Sequence, residues 1–349
     1  MLRPCGNFKR TYWQDEAIFH TNFQRVCVSA FLILLILLPF LVGSYLVNIC
    51  IIIGIYIIGA VGLNILTGFT GLISLGHGAL VGVGAYVAAI LQNNSSIPWL
   101  GNLILGGMAS SIVGLFWGLP SLRIRGIYLA MSTLAGQMIF SFVISNTPKY
   151  TGGDVGISIK KILYFTWVEE KTFFYYLVLL TVVVMVFFAR NLLRTKIGRN
   201  FIAIHDNDLS ARVLGIEVGK YRLISFVISS FYAGIAGALW AFYAQVISYE
   251  QFSLELSILY LSMILIGGFG TILGSIYGAI FVVIVPEILS NLATGLNRML
   301  SVDVSNSLAI INQGIFGLLI VIFLMFKSEG LIKFWRDIRD YFRHWPYSY

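Results

Sequence analysis

Few residues in this sequence could perform acid–base or metal chemistry in an apolar environment. Glu287 lies within an apolar run, directly after Pro286, and His77 lies within another run, between two glycines. An ion or proton relay needs ionisable groups close together, and one carboxylate with one distant histidine makes a poor relay. The sequence shows no H-E-x-x-H motif, carboxylate pair or Ser/His/Asp arrangement, so we predict no catalytic residue and no metal site.

The segment from Gly215 to Tyr221 superficially resembles a phosphate-binding loop. Three residues instead of four separate Gly215 from Gly219, and Tyr221 stands where such a loop requires Ser or Thr. We therefore expect this chain to bind no cofactor. If the protein uses ATP, another subunit must hold the ATP and its Mg²⁺.

The composition indicates what kind of fold surrounds these residues. The chain has 349 residues, of which 58% are hydrophobic and 11% are charged, against about 25% charged in ordinary globular proteins. So few charges exclude a cytosolic enzyme, a nucleic-acid binder and a disordered scaffold. Apolar runs of nearly twenty residues, in place of the short alternating segments of a barrel, predict an all-α polytopic integral membrane protein.

The apolar runs predict about ten transmembrane helices in a membrane domain over residues 26–326. A tail of residues 1–25 precedes this domain, and a tail of residues 327–349 follows it. The predicted spans are 26–47, 49–66, 71–91, 101–121, 127–145, 172–190, 223–247, 257–273, 275–294 and 307–326. Because 71–91 is rich in glycine, it is predicted to be a broken or re-entrant element.

The basic residues predict the orientation of the chain. If the amino terminus faces the cytoplasm, 18 of the 23 Lys and Arg residues fall on the cytoplasmic side. This distribution follows the positive-inside rule and favours an even number of spans with both termini in the cytoplasm. Two connections are longer than a tight turn. The first is a predicted outer loop over 146–171, and the second is a predicted inner, cytoplasmic loop over 191–222.

The inner loop contains a predicted short helix. Asp206, Asn207 or Asp208 can cap its amino end, and Gly215 suits a left-handed cap at its carboxyl end. Leu209, Val213 and Leu214 then form one apolar edge. That edge must pack against the protein's own helix ends or in the groove of a partner.

Neutral polar side chains accompany the glycines of the broken element. We predict that four of them line a substrate pathway: Asn64, Thr67, Ser74 and His77. Interrupted helices expose backbone carbonyls and amides to a cavity, which favours such a pathway. The glycines also fit a second interpretation, in which small residues only let helices pack closely.

Several motifs together resemble one family. Residues 64–91 resemble the second and third segments of the M-type, LivM-like permease of bacterial branched-chain amino acid ABC importers, and the resemblance extends over about 50–335. The other similar segments are 122–128, the Thr-Gly-Gly-Asp-Val-Gly-Ile motif at 151–157, 198–216, 266–271 and Pro286-Glu287. The inner loop departs from the family pattern, because a glutamate and two alanines usually precede the glycine, and this chain has Asp206 to Ala211 there.

The resemblance implies an assembly in the bacterial inner membrane. A second, LivH-like permease would pair with this chain, two cytoplasmic LivG/LivF-like ATPases would bind below, and an extracytoplasmic binding protein would deliver substrate; no nucleic acid is involved. The implied ATPase-coupling residues are Arg199, Asp206, Asp208, Leu209, Ser210, Ala211 and Gly215. The implied docking residues of the outer loop are Thr151, Gly152, Gly153 and Asp154.

Two other functions stay open at this stage. Importers of urea and short amides use permeases of similar sequence, so the substrate is not fixed by the motifs. An ion-coupled carrier that acts alone is the other alternative, and it would need buried ionisable groups to bind the coupled ion. A neutral pathway instead suits an apolar amino acid, which is a zwitterion without net charge, and it suits energy that enters through ATP.

Overall fold

A computed structural model describes residues 22–95, 97–124, 126–160 and 170–300, with 314, 317 and 330–333. The described helices are α1 (Asn22–Leu41), α2 (Ser44–Thr67), α3 (His77–Asn94), α4 (Trp99–Gly118), α5 (Ile127–Ser145), α6 (Pro148–Thr151), α7 (Glu170–Arg194), α8 (Lys196–Asp206), α9 (Asp208–Val213), α10 (Val218–Ala244), α11 (Leu254–Gly267) and α12 (Ile272–Leu300). Two short strands, β1 (Ile157–Ser158) and β2 (Val246–Ile247), pair antiparallel.

The prediction of an all-α membrane protein is confirmed. Seven helical segments in the described part of the chain are long and apolar enough to cross a membrane: Ser44–Thr67, Trp99–Leu122, Ile127–Ser145, Lys171–Arg194, Val218–Ala244, Tyr249–Gly267 and Ile272–Asn291. Helices satisfy their own backbone hydrogen bonds, as a lipid environment requires. Most of the predicted span 307–326 and most of both tails lie outside the described residues, so the total of ten stays a prediction.

The chain divides into two compact units, Met1–Asn48 and Ile49–Tyr349. In the first unit, α1 ends at Leu41 and a new helix begins at Ser44, so the predicted limit of the first span at residue 47 is wrong. Pro39 lies inside the last turn of α1. A proline removes one helical hydrogen bond, which is consistent with a helix that stops shortly afterwards.

In the second unit, α10 is the central helix and packs along α3 and α4. At the crossing of α3 and α10, Gly84 lies directly on the backbone of Gly234, and a Cβ at Gly84 would collide with the Gly234 carbonyl. Gly234 in turn lies against the backbone of Gly106 and Gly107 on α4. Small residues therefore bring three helix backbones together at one level, as is common in membrane proteins.

The connections alternate between two sides of the second unit, as the predicted topology requires. Gly71 lies against the ring of His205, and Arg222 donates to the carbonyl oxygen of Ser121. These contacts bring the α2–α3, α4–α5 and α7–α10 connections to one side, which we call the inner side. On the opposite, outer side, β1 pairs with β2, and Asn93 donates to the carbonyl oxygen of Ser158.

Three predicted boundaries need correction. The predicted span 71–91 begins helically only at His77, because residues 68–76 are irregular, and α3 continues to Asn94. The break between the predicted spans 257–273 and 275–294 lies at 268–271, earlier than predicted. Gly268 and Gly270 adopt positive φ of 120° and 67° there, which ends the helix. The inner loop is shorter than 191–222, since α7 continues to Arg194 and α10 begins at Val218.

Candidate functional site

The inner connection between α7 and α10 is almost entirely helical. Asn207 is extended between α8 and α9, and its Oδ1 accepts from the backbone N–H groups of Leu209 at 3.0 Å and Ser210 at 3.1 Å. Gly215 closes the segment with a φ of 80°. The predicted short helix and both of its caps are therefore confirmed, with Asn207 as the amino-terminal cap.

One side of α9 packs onto the protein. Ala211 is buried in a small apolar cluster with Ile204 of α8 and Val218 of α10. Ile216 and Tyr221 pack against the same cluster. This contact fixes which side of α9 faces inward, and it explains why a small residue occupies position 211.

The opposite side of α9 is exposed and apolar. The side chains of Leu209, Val213 and Leu214 are 69%, 88% and 78% exposed. We call these three residues the α9 edge. The sequence left open whether the edge packs on the protein itself, and the described part of the chain leaves it uncovered. An exposed apolar edge on a rigid short helix is suited to insertion into a partner's groove.

Charged residues connect α9 to the membrane helices. Arg222 Nη2 lies 3.1 Å from Asp208 Oδ2, and Arg222 Nη1 donates to the Ser121 carbonyl oxygen at 3.0 Å. Arg212 lies 4.0 Å from the same Asp208 oxygen. Asp208 is therefore turned inward, and the sequence analysis does not predict its pairing with Arg222.

The remaining residues predicted for the coupling role lie at the exposed surface of this connection. Arg199 donates through Nη1 to the carbonyl oxygen of Arg194 at 3.1 Å, across the turn between α7 and α8. Asp206 is exposed and lies 3.6 Å from the adjacent His205 ring. Ser210 is exposed next to the α9 edge. All three are accessible to a partner on the inner side.

The broken element places the start of α3 inside the bundle. Nε2 of His77 donates to the carbonyl oxygen of Gly59 at 3.0 Å. Gly59 lies eight residues before the end of α2, which corresponds to about 12 Å of helix. Residues 72–76 therefore reach membrane depth without helical hydrogen bonds, where each backbone group needs another partner.

Side chains of two other helices supply those partners. The backbone N–H of Leu75 donates to Thr133 Oγ1 at 3.0 Å, and that of Gly78 donates to Ser257 Oγ at 2.8 Å. Ala79 donates to Gln137 Oε1, also at 2.8 Å. The first turn of α3 is thus held by α5 and α11. Sequence reasoning missed Thr133, Gln137 and Ser257, although a long amide in the middle of an apolar helix was a detectable signal.

The four predicted pathway residues are all buried, and they lie in two places. Ser74 and His77 belong to the polar group at the start of α3, where His77 also contacts the edge of Tyr260 with ring centroids 5.2 Å apart. Asn64 lies at the break between α11 and α12. Its Nδ2 donates to the Thr271 carbonyl oxygen at 2.8 Å and to Ser275 Oγ at 2.7 Å.

Thr67 completes the second location. Its hydroxyl donates to the carbonyl oxygen of Leu72 at 3.1 Å and closes the turn that follows α2. Asn64 Oδ1 accepts from the backbone N–H of Gly270 at 3.1 Å. The two irregular segments, 68–76 and 268–271, therefore meet beside Asn64. The pathway role of these residues stays a prediction.

The outer loop owes its shape to Thr151 and its glycines. Oγ1 of Thr151 donates toward the carbonyl oxygens of Ile144 at 2.7 Å and Thr147 at 2.8 Å. Gly152, Gly153 and Gly156 adopt positive φ of 68°, 56° and 82°, which favours glycine at these positions. β1 follows and pairs with β2, so the motif is fastened to the outer end of α10.

Two residues of the outer motif remain available to a partner. Asp154 is exposed, and Val155 is 90% exposed. Thr151 and Gly153 are buried and shape the loop. Among the four predicted docking residues from Thr151 to Asp154, Asp154 is the one whose side chain is exposed. That these residues dock a partner stays a prediction.

Ionisable groups within the described residues form no metal site. No group of three or more His, Cys, Asp or Glu side chains in the described ranges could hold a metal ion. Glu287 is half-buried in α12, directly after Pro286. The contacts of His77 are the Gly59 carbonyl and the Tyr260 ring.

The apolar helices and the interrupted helix at membrane depth define a multi-pass membrane protein. A family described as "Branched-chain amino acid transport system / permease component" matches residues 45–324. The chain belongs to this family of transport permeases. No solved structure was found to match the chain.

Individual relatives agree with this assignment. The chain is 30% identical to the high-affinity branched-chain amino acid transport system permease protein LivM of Escherichia coli K12, over 76% of this chain and 68% of that protein. It is 26% identical to the probable LivM permease of Methanocaldococcus jannaschii, over 80% of this chain and 90% of the relative. The LivH permease of E. coli K12 is 24% identical, over 64% of this chain and 78% of that protein.

Proposed function

We propose that the chain is the membrane-spanning subunit of an ATP-driven importer for branched-chain amino acids. It pairs with a second, LivH-like permease, and two ATPases on the inner side hold the ATP and Mg²⁺. A binding protein on the outer side delivers the substrate. The similarity to both LivM and LivH supports this composition, because those two relatives carry the name of the same transport system in one organism.

The α9 edge is the observation that carries this proposal. Its three apolar side chains point away from a helix whose other side is fixed by Ala211 and Asp208. A short helix held in one orientation presents its edge without further ordering, which lowers the entropic cost of binding. The ATPase groove is the occupant that fits an apolar edge on the inner side. Arg199, Asp206 and Ser210 lie around the edge and supply its polar rim.

The outer motif is proposed as the docking place of the binding protein. Asp154 and Val155 project from a loop that Thr151 and the three glycines hold in shape. β1 and β2 connect this loop to the outer end of α10. A binding protein seated on Asp154 and Val155 would therefore be connected, through β1 and β2, to the helix whose inner end lies beside α9.

The neutral polar residues are proposed to line the substrate pathway in another state of the transport cycle. Ser74 and His77 stand at the start of α3, whose helix dipole places a partial positive charge at membrane depth. Such an interrupted helix suits the carboxylate of a zwitterionic amino acid. All four predicted residues are buried and bonded within the chain. Substrate would therefore reach Ser74 and His77 only after α3 moves relative to α5 and α11.

A crossed pair of substitutions tests the assembly. In the co-expressed complex, Val213→Asp places a charge in the α9 edge and should reduce co-purification of the ATPases by about tenfold, as for a central contact of an interface. Val155→Asp is the matched control on the outer side. It should leave the ATPases bound and weaken binding-protein capture. Full ATPase retention and normal uptake by Val213→Asp would contradict the proposal.

Reconstitution identifies the substrate and the energy source. Proteoliposomes that contain both permeases, the ATPases and the binding protein should take up leucine, isoleucine or valine only with internal ATP. Uptake of urea or acetamide in their place would support the short-amide alternative. Uptake by the isolated chain along an ion gradient would overturn the ATP-driven assignment.

A further inference from the structure

Arg222 joins three elements of the inner side through one guanidinium group. It lies in the second turn of α10 and is only 6% exposed in its side chain. Nη2 contacts Asp208 at the start of α9 at 3.1 Å, and Nη1 donates to the carbonyl oxygen of Ser121 at 3.0 Å. Ser121 belongs to the 3-10 turn Leu119–Leu122, which follows α4. The group thus connects α9, α10 and the end of α4.

The contact differs in kind from the other contacts of the inner connection. Ala211, Ile204 and Val218 touch through apolar surfaces, and such contacts are non-directional. The guanidinium instead has a fixed planar set of donors. Its hydrogen bond to the Ser121 carbonyl oxygen and its ion pair with Asp208 therefore hold α9 next to α10 and the end of α4.

Burial makes this pair sensitive to displacement. Asp208 is 16% exposed and Arg222 is 6% exposed in their side chains. Separating two buried charges without replacing their partners is strongly unfavourable. A force applied to the α9 edge therefore moves Arg222 together with Asp208. The movement then reaches α10, which packs along α3 and α4.

We infer that Arg222 is a positioning residue that transmits movement of α9 to α10 and to the turn Leu119–Leu122 after α4. This inference rests on the proposed function, in which ATPases bind the α9 edge. Arg222 itself contacts neither ATP nor substrate. Its role is to keep ATP hydrolysis coupled to transport by fixing α9 to the membrane helices.

Arg222→Gln provides the first test in the complete complex with its ATPases and binding protein. It removes the charge and the guanidinium fork, so substrate taken up per ATP hydrolysed should fall by about tenfold or more, because Asp208 loses a cationic partner. Arg222→Lys keeps the charge and should recover part of the ratio.

Arg212→Gln is the matched control. Arg212 faces the same Asp208 oxygen, but from 4.0 Å and with half of its side chain exposed. Exposed pairs contribute little, so the ratio of uptake to hydrolysis should stay within about twofold of the unchanged complex. An equal loss of the uptake ratio in Arg222→Gln and Arg212→Gln would overturn the inference. Such a result would mean that any positive charge near Asp208 has the same effect, whether or not it connects α9 to α10.

A double variant separates transmission of movement from simple stabilisation. Asp208→Asn with Arg222→Gln removes both charges of this pair, so thermal stability should exceed that of Arg222→Gln alone. If Arg222 transmits movement, the uptake ratio stays low in the double variant. Full recovery of the ratio would overturn the inference, and this measurement applies even if each single variant fails to fold.

The two proposals fail in distinguishable ways. If the unchanged chain neither retains ATPases nor shows ATP-dependent uptake, the proposed function fails. If the unchanged complex is coupled and Arg222→Gln is equally coupled, the proposed function stands and the role of Arg222 is wrong.

Discussion

The backbone N–H of Ala79 donates to Oε1 of Gln137 at 2.8 Å, inside the bundle and far from either end of α5. One side-chain amide thereby satisfies a backbone group that α3 cannot satisfy itself. The same oxygen accepts from Ser257 Oγ at 3.3 Å, so α3, α5 and α11 meet at this amide. The interruption before His77 is consequently held by side chains in a fixed geometry.

Gln137→Leu should destabilise the protein. The change leaves the Ala79 N–H without its acceptor in an apolar environment, which costs on the order of 1–3 kcal/mol. Thermal unfolding of the purified protein in detergent measures the loss. Gln251→Leu is the control, because Gln251 is exposed on the outer side. Equal unfolding temperatures for the two variants would contradict the role of Gln137.

Ala211→Asp should uncouple ATP hydrolysis from uptake by disrupting α9 itself. Ala211 is buried against Ile204 and Val218, and an unpaired carboxylate there costs several kcal/mol. Ser210→Asp introduces the same group one residue earlier, at an exposed position. It should perturb α9 much less. Protease cleavage of the inner connection should therefore increase in the first variant and change little in the second.

Gly215→Val should weaken ATPase retention through backbone strain. The φ of Gly215 is 80°, and a Cβ there would meet nothing within 4 Å, so any penalty comes from conformation. A β-branched residue in this region costs about 1–2 kcal/mol. Gly215→Asn tolerates the same φ and is the control. If the asparagine variant lost as much ATPase as the valine variant, the strain argument would be refuted.

Gly84→Ala should prevent close packing of α3 on α10. The added methyl group would collide with the backbone of Gly234, which cannot rotate away as a side chain can. Overpacking of this kind costs on the order of 1–3 kcal/mol. Gly43→Ala is the control, because its Cβ would meet nothing within 4 Å. The yield of monodisperse protein in size-exclusion chromatography distinguishes the two variants.

Ser74→Cys tests the predicted pathway directly. Ser74 is fully buried, so its thiol should resist a water-soluble maleimide in the resting complex and react during turnover with ATP and substrate. Asn94→Cys lies at the exposed outer end of α3 and should react in both states. Ser110→Cys is buried between α4 and α3, and it should react in neither. Equal protection of positions 74 and 110 during turnover would remove Ser74 from the pathway.

The sequence predicts those elements whose signals are local. The apolar run at 127–145 coincides with α5, and the predicted α9 has its caps at Asn207 and Gly215 because both signals depend only on neighbouring residues. The grouping of Leu209, Val213 and Leu214 on one edge follows from the same spacing, whereas their exposure becomes known only from the fold. Family motifs predict the transport permease because they combine many local signals.

Other features depend on residues that are distant in the chain. The ion pair of Asp208 with Arg222 and the contact of Gly78 with Ser257 need the tertiary fold to form. The sequence analysis does not predict α8, although Ile197, Phe201 and Ile204 have the spacing of one apolar helical face, because the helix is short and rich in polar residues. The predicted position of the break at 268–271 is wrong because glycines in an apolar run do not by themselves indicate which of them adopts a positive φ.

The fastening of α10 at both of its ends has a mechanical consequence. At the outer end, the carbonyl oxygen of Gln245 accepts from the backbone N–H of Ile159 at 2.8 Å, and at the inner end Arg222 holds Asp208. The 27 residues of this helix extend about 40 Å. A rotation imposed on one end therefore reaches the opposite compartment through a stiff rod, without any solute or ion having to cross the bilayer.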